Sequence, residues 1–332
     1  MSGFSIGDWP VLDDGLAWEA AQDVLEAADL GDGLPLVPPT ARRLDAMLAG
    51  VAEPDAALGA MPPLFGELTP RTVAYCCMLA GCRPAERGVV EAALLACLEP
   101  EFNLLGLMTT TGSAAVATLV HGPIVAHLGL NASINCLGPG NRVNASIGRA
   151  VSLGLRNIGG AKAGTGDMAT CGQPGKYAFC FAEGNDGPLA PLHVRRGLAA
   201  NQSAVTVLGV SGTAEVLPLR DGEGGDAGAD AILEALGVAM VAAVQTTGAS
   251  RQVQPPEQVF VLPPELAQRL AAEGYDLARI QRTLFAAGVT AGTPIAPAPH
   301  QIFPIVTGGP GVKMAYLPLW GGGSRMVTRA LG

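Results

Sequence analysis

Basic residues are scarce in this chain. Lys and Arg number 20 against 29 Asp and Glu, a net charge of −9. A nucleic-acid partner needs a clustered basic face to neutralise phosphates, so none is expected. Aromatics make up only 5% of the residues, which leaves Ala, Val and Leu to build a core of closely packed small side chains. No apolar run is long enough to span a bilayer. The nearest, "ILEALGVAMVAAV" (232–244), reads as a buried helix, so no membrane partner is expected. The opening "MSGFSIGDWPVLDDG" lacks both a basic n-region and an apolar h-region and is no signal peptide. The expectation is a cytoplasmic soluble protein.

Several chemical motifs are missing too. Cys76, Cys77, Cys82, Cys97, Cys136, Cys171 and Cys180 form an odd set without C-x-x-C spacing, which is no disulfide framework. His121, His127, His193 and His300 show neither H-E-x-x-H nor H-x-H, so no metal or other cofactor is expected, although a dispersed site stays open. There is no G-x-x-x-x-G-K-[ST] loop, no dinucleotide fingerprint and no G-x-S-x-G elbow. Nucleotide binding and serine hydrolysis are therefore disfavoured.

What is present is a long chain, 332 residues, with 49% hydrophobic content, enough for one large domain or two intimately packed ones. Thr69-Pro70 sets an N-cap with Pro at N1 and predicts a helix that stops at Gly81; Pro84 opens another. "ASIGRAVSLGLRNIGG" has helical periodicity and ends in a Gly pair. "KYAFCFAE" (176–183), "SAVTVLGVSG" (203–212) and "EQVFVLP" (257–263) read as strands, and two more flank the "GGPG" turn near the end. These interleaved elements predict an α/β or α+β fold whose Gly-rich loops cluster on one face. The acidic "RDGEGGDAGAD" (220–230) marks the expected seam, with a motif-bearing region at 1–220 and a C-terminal α/β subdomain at 231–332 packed closely on it. No repeat of fixed period is visible.

The strongest local signal is "GPGNRVNASIGRA" (138–150). Gly140, Asn141 and Asn144 suit unusual backbone angles ahead of a helix, whose free N–H groups would hold a carboxylate or phosphate. Arg142 or Arg149 would clamp it. The competing reading is a structural turn with the asparagines as caps. In "GGAKAGTGDMATCGQPGKYAFCFAE" (159–183) strand alternation puts Lys176 and Cys180 on one face, with Phe181 and the terminal Glu183 on the other. A lysine beside a thiol lowers its pKa, and a half-buried Glu183 would serve as an acid. Cys82, at a helix start beside Arg83, has two further reasons for a depressed pKa. Thr110 and Thr111 form a hydroxyl-rich turn fit to line a pocket, and Arg325 is another anion clamp. The candidate catalytic set is Cys180, Glu183, Lys176 and Cys82; the others are candidate substrate-binding residues.

"DGLPLVPPT", "AGCRP", "GPGNRVNASIGRA", "GQPGKYAFCFAE", "PLHVRRG" and "GGSRMVTRAL" together resemble the bacterial UGSC-type (seleno)protein-related family, over residues 30 to 330. The motif that names that family, Sec/Cys-Gly-Ser-Cys, is absent. The resemblance implies a thiol or selenol redox association. The residues themselves point first to a lyase or hydrolase acting on a small anionic, carboxylate-type substrate through Cys and Glu. A thiol redox or sulfur-handling protein and a non-catalytic subunit of an assembly are the alternatives. Close packing of Ala- and Gly-rich helices favours a homo-oligomer.

Overall fold

The computed structural model describes residues 9–185, 187–218, 228–247 and 255–332. The expected seam at 220–230 lies mostly outside the described residues. Helices α1 (Trp18–Ala27), α2 (Ala41–Leu48), α3 (Pro70–Ala80), α4 (Arg87–Cys97) and α5 (Leu104–Thr109) come first, with a small hairpin of β1 (Gly59–Met61) and β2 (Gly66–Leu68). Then follow β3 (Ala115–His121), α6 (Ile124–Leu128), α7 (Arg142–Asn157), β4 (Cys180–Ala182), α8 (Leu192–Arg195), β5 (Ala204–Val210) and β6 (Ala214–Val216). The last part holds α9 (Ala229–Thr246), β7 (Gln258–Leu262), α10 (Pro264–Ala272), α11 (Leu277–Thr290), β8 (Ile302–Val306), β9 (Met314–Pro318) and β10 (Val327–Ala330).

The punctuation residues set these boundaries. Thr69 accepts from the Thr72 N–H and Thr72 Oγ1 accepts from the Thr69 N–H, so α3 begins with a closed capping box. Gly81 ends it at φ 82°, a left-handed angle that costs glycine nothing. By contrast, the strand expected over 176–183 is only β4, because Pro174–Lys176 forms a 3₁₀ turn. Lys176 therefore shares no strand face with Cys180.

Two four-stranded sheets carry the fold, in the orders β10-β5-β3-β4 and β6-β9-β7-β8. They stack face to face over a core that includes Leu119, Phe181, Leu208, Val261, Ile305 and Leu317. The outer face of the first sheet packs on α4 and α7, with α2 and α3 completing the same core; that of the second packs on α9 and α11, with α10 beside α9. The result is a four-layer α/β/β/α arrangement. Helix α9 is long and apolar enough to cross a membrane, but its buried residues, Ile232, Leu236 and Met240 among them, belong to the second core.

The two sheets follow one plan. In the first, β3 runs parallel to β4 and antiparallel to β5, which is antiparallel to β10. In the second, β7 runs parallel to β8 and antiparallel to β9, which is antiparallel to β6. Each half of the chain thus contains the succession helix, strand, two helices and three strands, to which the first half adds α1 to α4, the β1–β2 hairpin and α8, and the last strand of each half crosses into the other's sheet. The repeat has no fixed sequence period because its loops differ in length. It is a repeat of topology, and it makes a cut between the halves at the expected seam one that divides both sheets.

Val210 and Leu319 pair as an isolated antiparallel bridge where the halves meet, so they occupy equivalent positions. Counting outward through the ladders makes His121, Glu183 and Thr206 of the first sheet equivalent to Pro263, Thr307 and Ala315 of the second. That correspondence locates the candidate site.

Candidate functional site

Pro263, Thr307 and Ala315 line a cleft of about 910 Å³ at the end of the second sheet. In the first sheet the equivalent space is filled. There the connection from β4 to β5 carries α8, whose buried Leu192 and His193 plug the end of the sheet. The corresponding β8–β9 connection, 307–313, is short and glycine-rich. It leaves the space open.

Three loops wall the cleft: 134–138, 173–179 and 307–315, with Glu215 of β6 at the rim. Gly309 lets two of them touch. A Cβ there would lie 2.9 Å from the Ile134 Cα, closer than real contacts allow. The first loop turns at Asn135, which holds φ 59°, a conformation asparagine tolerates better than most side chains. Next comes Cys136, buried and on the cleft wall. Burial pushes its thiol pKa up, while the Thr307 side chain and the backbone N–H groups of Cys136 and Leu137 pull it down and lose. Thr307 is itself fixed, because its hydroxyl lies 2.7 Å from the Ala182 carbonyl and 2.9 Å from the Ala132 carbonyl. Lys313 and Glu215, both exposed, pair at 2.8 Å on the same wall.

Behind the Ala182–Thr307 link lies the filled counterpart. His121 Nδ1 stands 2.8 Å from Glu183 Oε2, and His121 Nε2 stands 2.8 Å from Thr206 Oγ1. Thr206 continues to Thr328 Oγ1 at 2.9 Å. Glu183 also accepts the Leu192 N–H at 2.7 Å and faces Arg195 Nη2 at 3.4 Å. His193, also on α8, places its ring 5.5 Å from that of His121. Its pKa is lowered by burial first and by His121 second, against the Ala200 backbone and Glu183. Sequence reasoning placed Glu183 on the Phe181 face, and both do face the inter-sheet layer. It had no means of bringing His121 from another strand to meet it.

The other expected site residues have structural partners. Cys180 is buried, and burial pushes its thiol far above the ordinary range. Cys82, expected to be acidified, is shifted the other way: a hydrogen bond with Cys77 and then burial hold its thiol up, and the nearby Arg142 is too weak to reverse them. Lys176 pairs with Asp167 at 2.5 Å beside a separate cavity of about 630 Å³ that also holds the exposed Cys171.

The helix start expected to cradle an anion is satisfied from within. Asn141 accepts the Asn144 N–H and donates to the Gly129 carbonyl, while Asn144 exchanges two hydrogen bonds with the Asn131 backbone. Arg142 grips both oxygens of Glu86, and Arg149 grips both of Asp32. Gly140, at φ 122°, lines only a shallow hollow of about 490 Å³ with Asn141. Thr110 accepts the Gly112 N–H, Thr111 lends its carbonyl to Thr170, and the exposed Arg325 stands outside the cleft lining.

These contacts carry a prediction. Glu86 is only 2% exposed, so Arg142→Ala leaves a buried carboxylate without its counter-charge. We expect a loss of about 1–3 kcal/mol, below the full cost of a buried pair because Arg142 is partly solvated. Chemical denaturation checks it, and a variant as stable as the wild type would return Arg142 to the anion-clamp reading.

No protein-family model, no curated protein and no solved structure matches the chain.

Proposed function

We propose that this chain is a cytoplasmic enzyme of the lyase or hydrolase type acting on a small organic anion bound in the inter-sheet cleft. The observation that carries the reading is the placement of the Cys136 thiol and Thr307 on the wall of a cavity whose size suits one small ligand. Lys313 supplies the cation that a substrate carboxylate would take over from Glu215. Cys136, kept protonated at neutral pH by its burial, is the proton donor or, once deprotonated, the nucleophile. It replaces Cys180 and Cys82 in that role, and Glu183 becomes a group that holds the wall in place from behind.

The kinship with UGSC-related proteins belongs to the same proposal. Segments that carry the resemblance contribute Gly138, Gln173, Pro174, Gly175 and Phe179 to the cleft. A homo-oligomer with this cleft open to solvent completes the reading.

A thermal-shift screen of small carboxylates, phosphates and thiols tests it. A ligand at about a hundred times its dissociation constant adds about 2.7 kcal/mol, a rise of a few degrees. An organic anion should stabilise the wild type, stabilise Lys313→Met less, and leave the cleft-filling Ala315→Phe unmoved. Equal stabilisation of all three proteins, or of none, would remove the cleft from consideration.

A second expectation concerns the thiol alone. Because its pKa is raised, Cys136 should alkylate slowly at neutral pH and faster as the pH climbs past the ordinary thiol value of about 8.5. Mass spectrometry of iodoacetamide-treated native protein reads this against the exposed Cys171 as internal standard. Cys136 reacting at pH 7 as fast as Cys171 would contradict the protonated-thiol assignment.

A further inference from the structure

His193 is the anomaly in the buried cluster. Its imidazole is 1% exposed, and neither ring nitrogen makes a hydrogen bond of proper geometry, the Ala200 backbone offering only a weak polar contact. A neutral imidazole carries one donor and one acceptor, and enclosing both unpaired is costly. Phenylalanine would fill the same space without that cost. Two other metal-ligating side chains stand beside it: His121, Glu183 and His193 each offer a ligand atom, all within 4.8 Å of one another, and all three residues are buried.

We propose that His121, Glu183 and His193 form a site for one divalent transition ion of the zinc class. The donor set, two imidazoles and a carboxylate, is one that such ions favour. Ligand atoms at about 2.0–2.2 Å from zinc stand roughly 3.3–3.6 Å apart, a spacing that requires the His193 ring to turn inward and the His121–Glu183 pair to open by roughly 0.5–0.8 Å. The ion enters between His121 Nδ1 and Glu183 Oε2, 2.8 Å apart, where a proton now joins them. His121 then takes its other tautomer, with the proton on Nε2 and Thr206 Oγ1 accepting it at 2.8 Å. Thr206 can accept because its own hydroxyl donates to Thr328 Oγ1, 2.9 Å away.

The surroundings are those of a ligand shell. Glu183 is oriented by the Leu192 N–H and Arg195, and His121 by Thr206. Such partners fix the orientation of metal-ligating side chains. Arg195 leaves Nε and Nη1 buried without partners. They supply the donors that a water or hydroxide in the fourth position requires, and a hydroxide offsets the added positive charge. The ion's task is to pin α8 to the end of the first sheet and keep that end plugged. This inference does not depend on the chemistry proposed for the cleft.

The test uses the full-length chain expressed in zinc-supplemented medium, and the same chain unfolded and refolded with zinc so that slow entry to a buried site cannot hide binding. Metal content by mass spectrometry should give one zinc per chain in the wild type and close to none in His193→Phe. Chelation should lower the wild-type melting temperature, with zinc restoring it, and should leave His193→Phe unmoved. A wild type that holds no zinc after refolding, or a His193→Phe protein that holds as much, overturns the site. If His193→Phe does not fold, the cobalt-substituted wild type decides instead. Tetrahedral visible bands without a sulfur charge-transfer band support the assignment; a thiolate band places the ion on cysteine and overturns it, as does a spectrum of hexaaquo cobalt.

Discussion

Glu183→Ala should be among the most destabilising single substitutions in the chain. Glu183 is 2% exposed, and its carboxylate meets His121, the Leu192 N–H and Arg195. Removing it leaves a buried guanidinium without its counter-charge, a backbone N–H without an acceptor and an imidazole without its partner. Arg195 feels this already, since burial pushes its pKa down against the pull of Glu183. Breaking a buried pair from one side costs about 3–5 kcal/mol. At roughly 2–4 °C per kcal/mol for a domain of about 150–250 residues, the melting temperature falls by about 5–10 °C in this longer chain. Measured in chelator, the loss belongs to the pair alone. Glu183→Gln keeps an acceptor for Leu192 and should lose less. Adding Arg195→Met to Glu183→Gln should recover stability, since the orphaned charge then disappears. A Glu183→Ala protein within about 1 kcal/mol of wild type would mean that the carboxylate anchors nothing.

That experiment also separates two roles for one residue. The sequence places Glu183 at the end of a strand, on the face of Phe181, where half-burial would make it an acid. The alternation is right, and it puts Glu183 in the inter-sheet layer. Whether that layer holds a cleft or a plug depends on the connection after the strand. One half of the chain follows its strand with a connection that carries α8; the other follows with the glycine-rich 307–313. Local pattern carries no trace of that difference, because it appears only when the two halves are superposed by their pairing.

The elements themselves were far more legible. Thr69, Gly81 and Asn141 act locally, through backbone groups within a few residues, so the sequence signals them directly. The strands β5 and β7 are buried along their whole length, and mostly apolar runs announce them. Three-residue strands such as β4 and β6 have too little length to show a period. The partners of a strand are invisible for another reason: β8 and β9 look like a hairpin around the "GGPG" turn, yet β7 lies between them. Cys136 is not among the candidate site residues of the sequence because nothing nearby in sequence marks it. Thr307, 171 positions on, defines its surroundings only once the sheets stack. The asparagines and arginines of 138–150 pose the opposite difficulty. Their residue types suit both an anion cradle and a capped helix, and the choice was made by Glu86 and Asp32, distant carboxylates that claim the arginines.

Alkaline pH should unfold this protein more readily than acid-stable packing alone would suggest. Tyr75, Cys76, Cys97, Cys180 and Tyr316 are all pushed far above their ordinary values, and burial is the largest cause in each case. In the unfolded chain the thiols release their protons near pH 8.5 and the phenols near pH 10, whereas the native protein holds them. Above those values the unfolded state binds fewer protons than the native one, so stability falls as the pH rises. Below about pH 8 both states keep every one of these protons, and the stabilising contribution is fully present. Each buried thiol subtracts about 1.4 kcal/mol per pH unit once its unfolded counterpart is ionised. Three such thiols therefore consume the stability of an ordinary domain, about 5–15 kcal/mol, within roughly one to four pH units. Circular dichroism across pH 8 to 12 should show a cooperative loss of structure within about that window. Cys97→Ala lowers stability at neutral pH by opening a small cavity, but it should reduce the slope of stability against pH by one proton. An unchanged slope would mean that Cys97 titrates alike in both states, and that burial does not hold its proton.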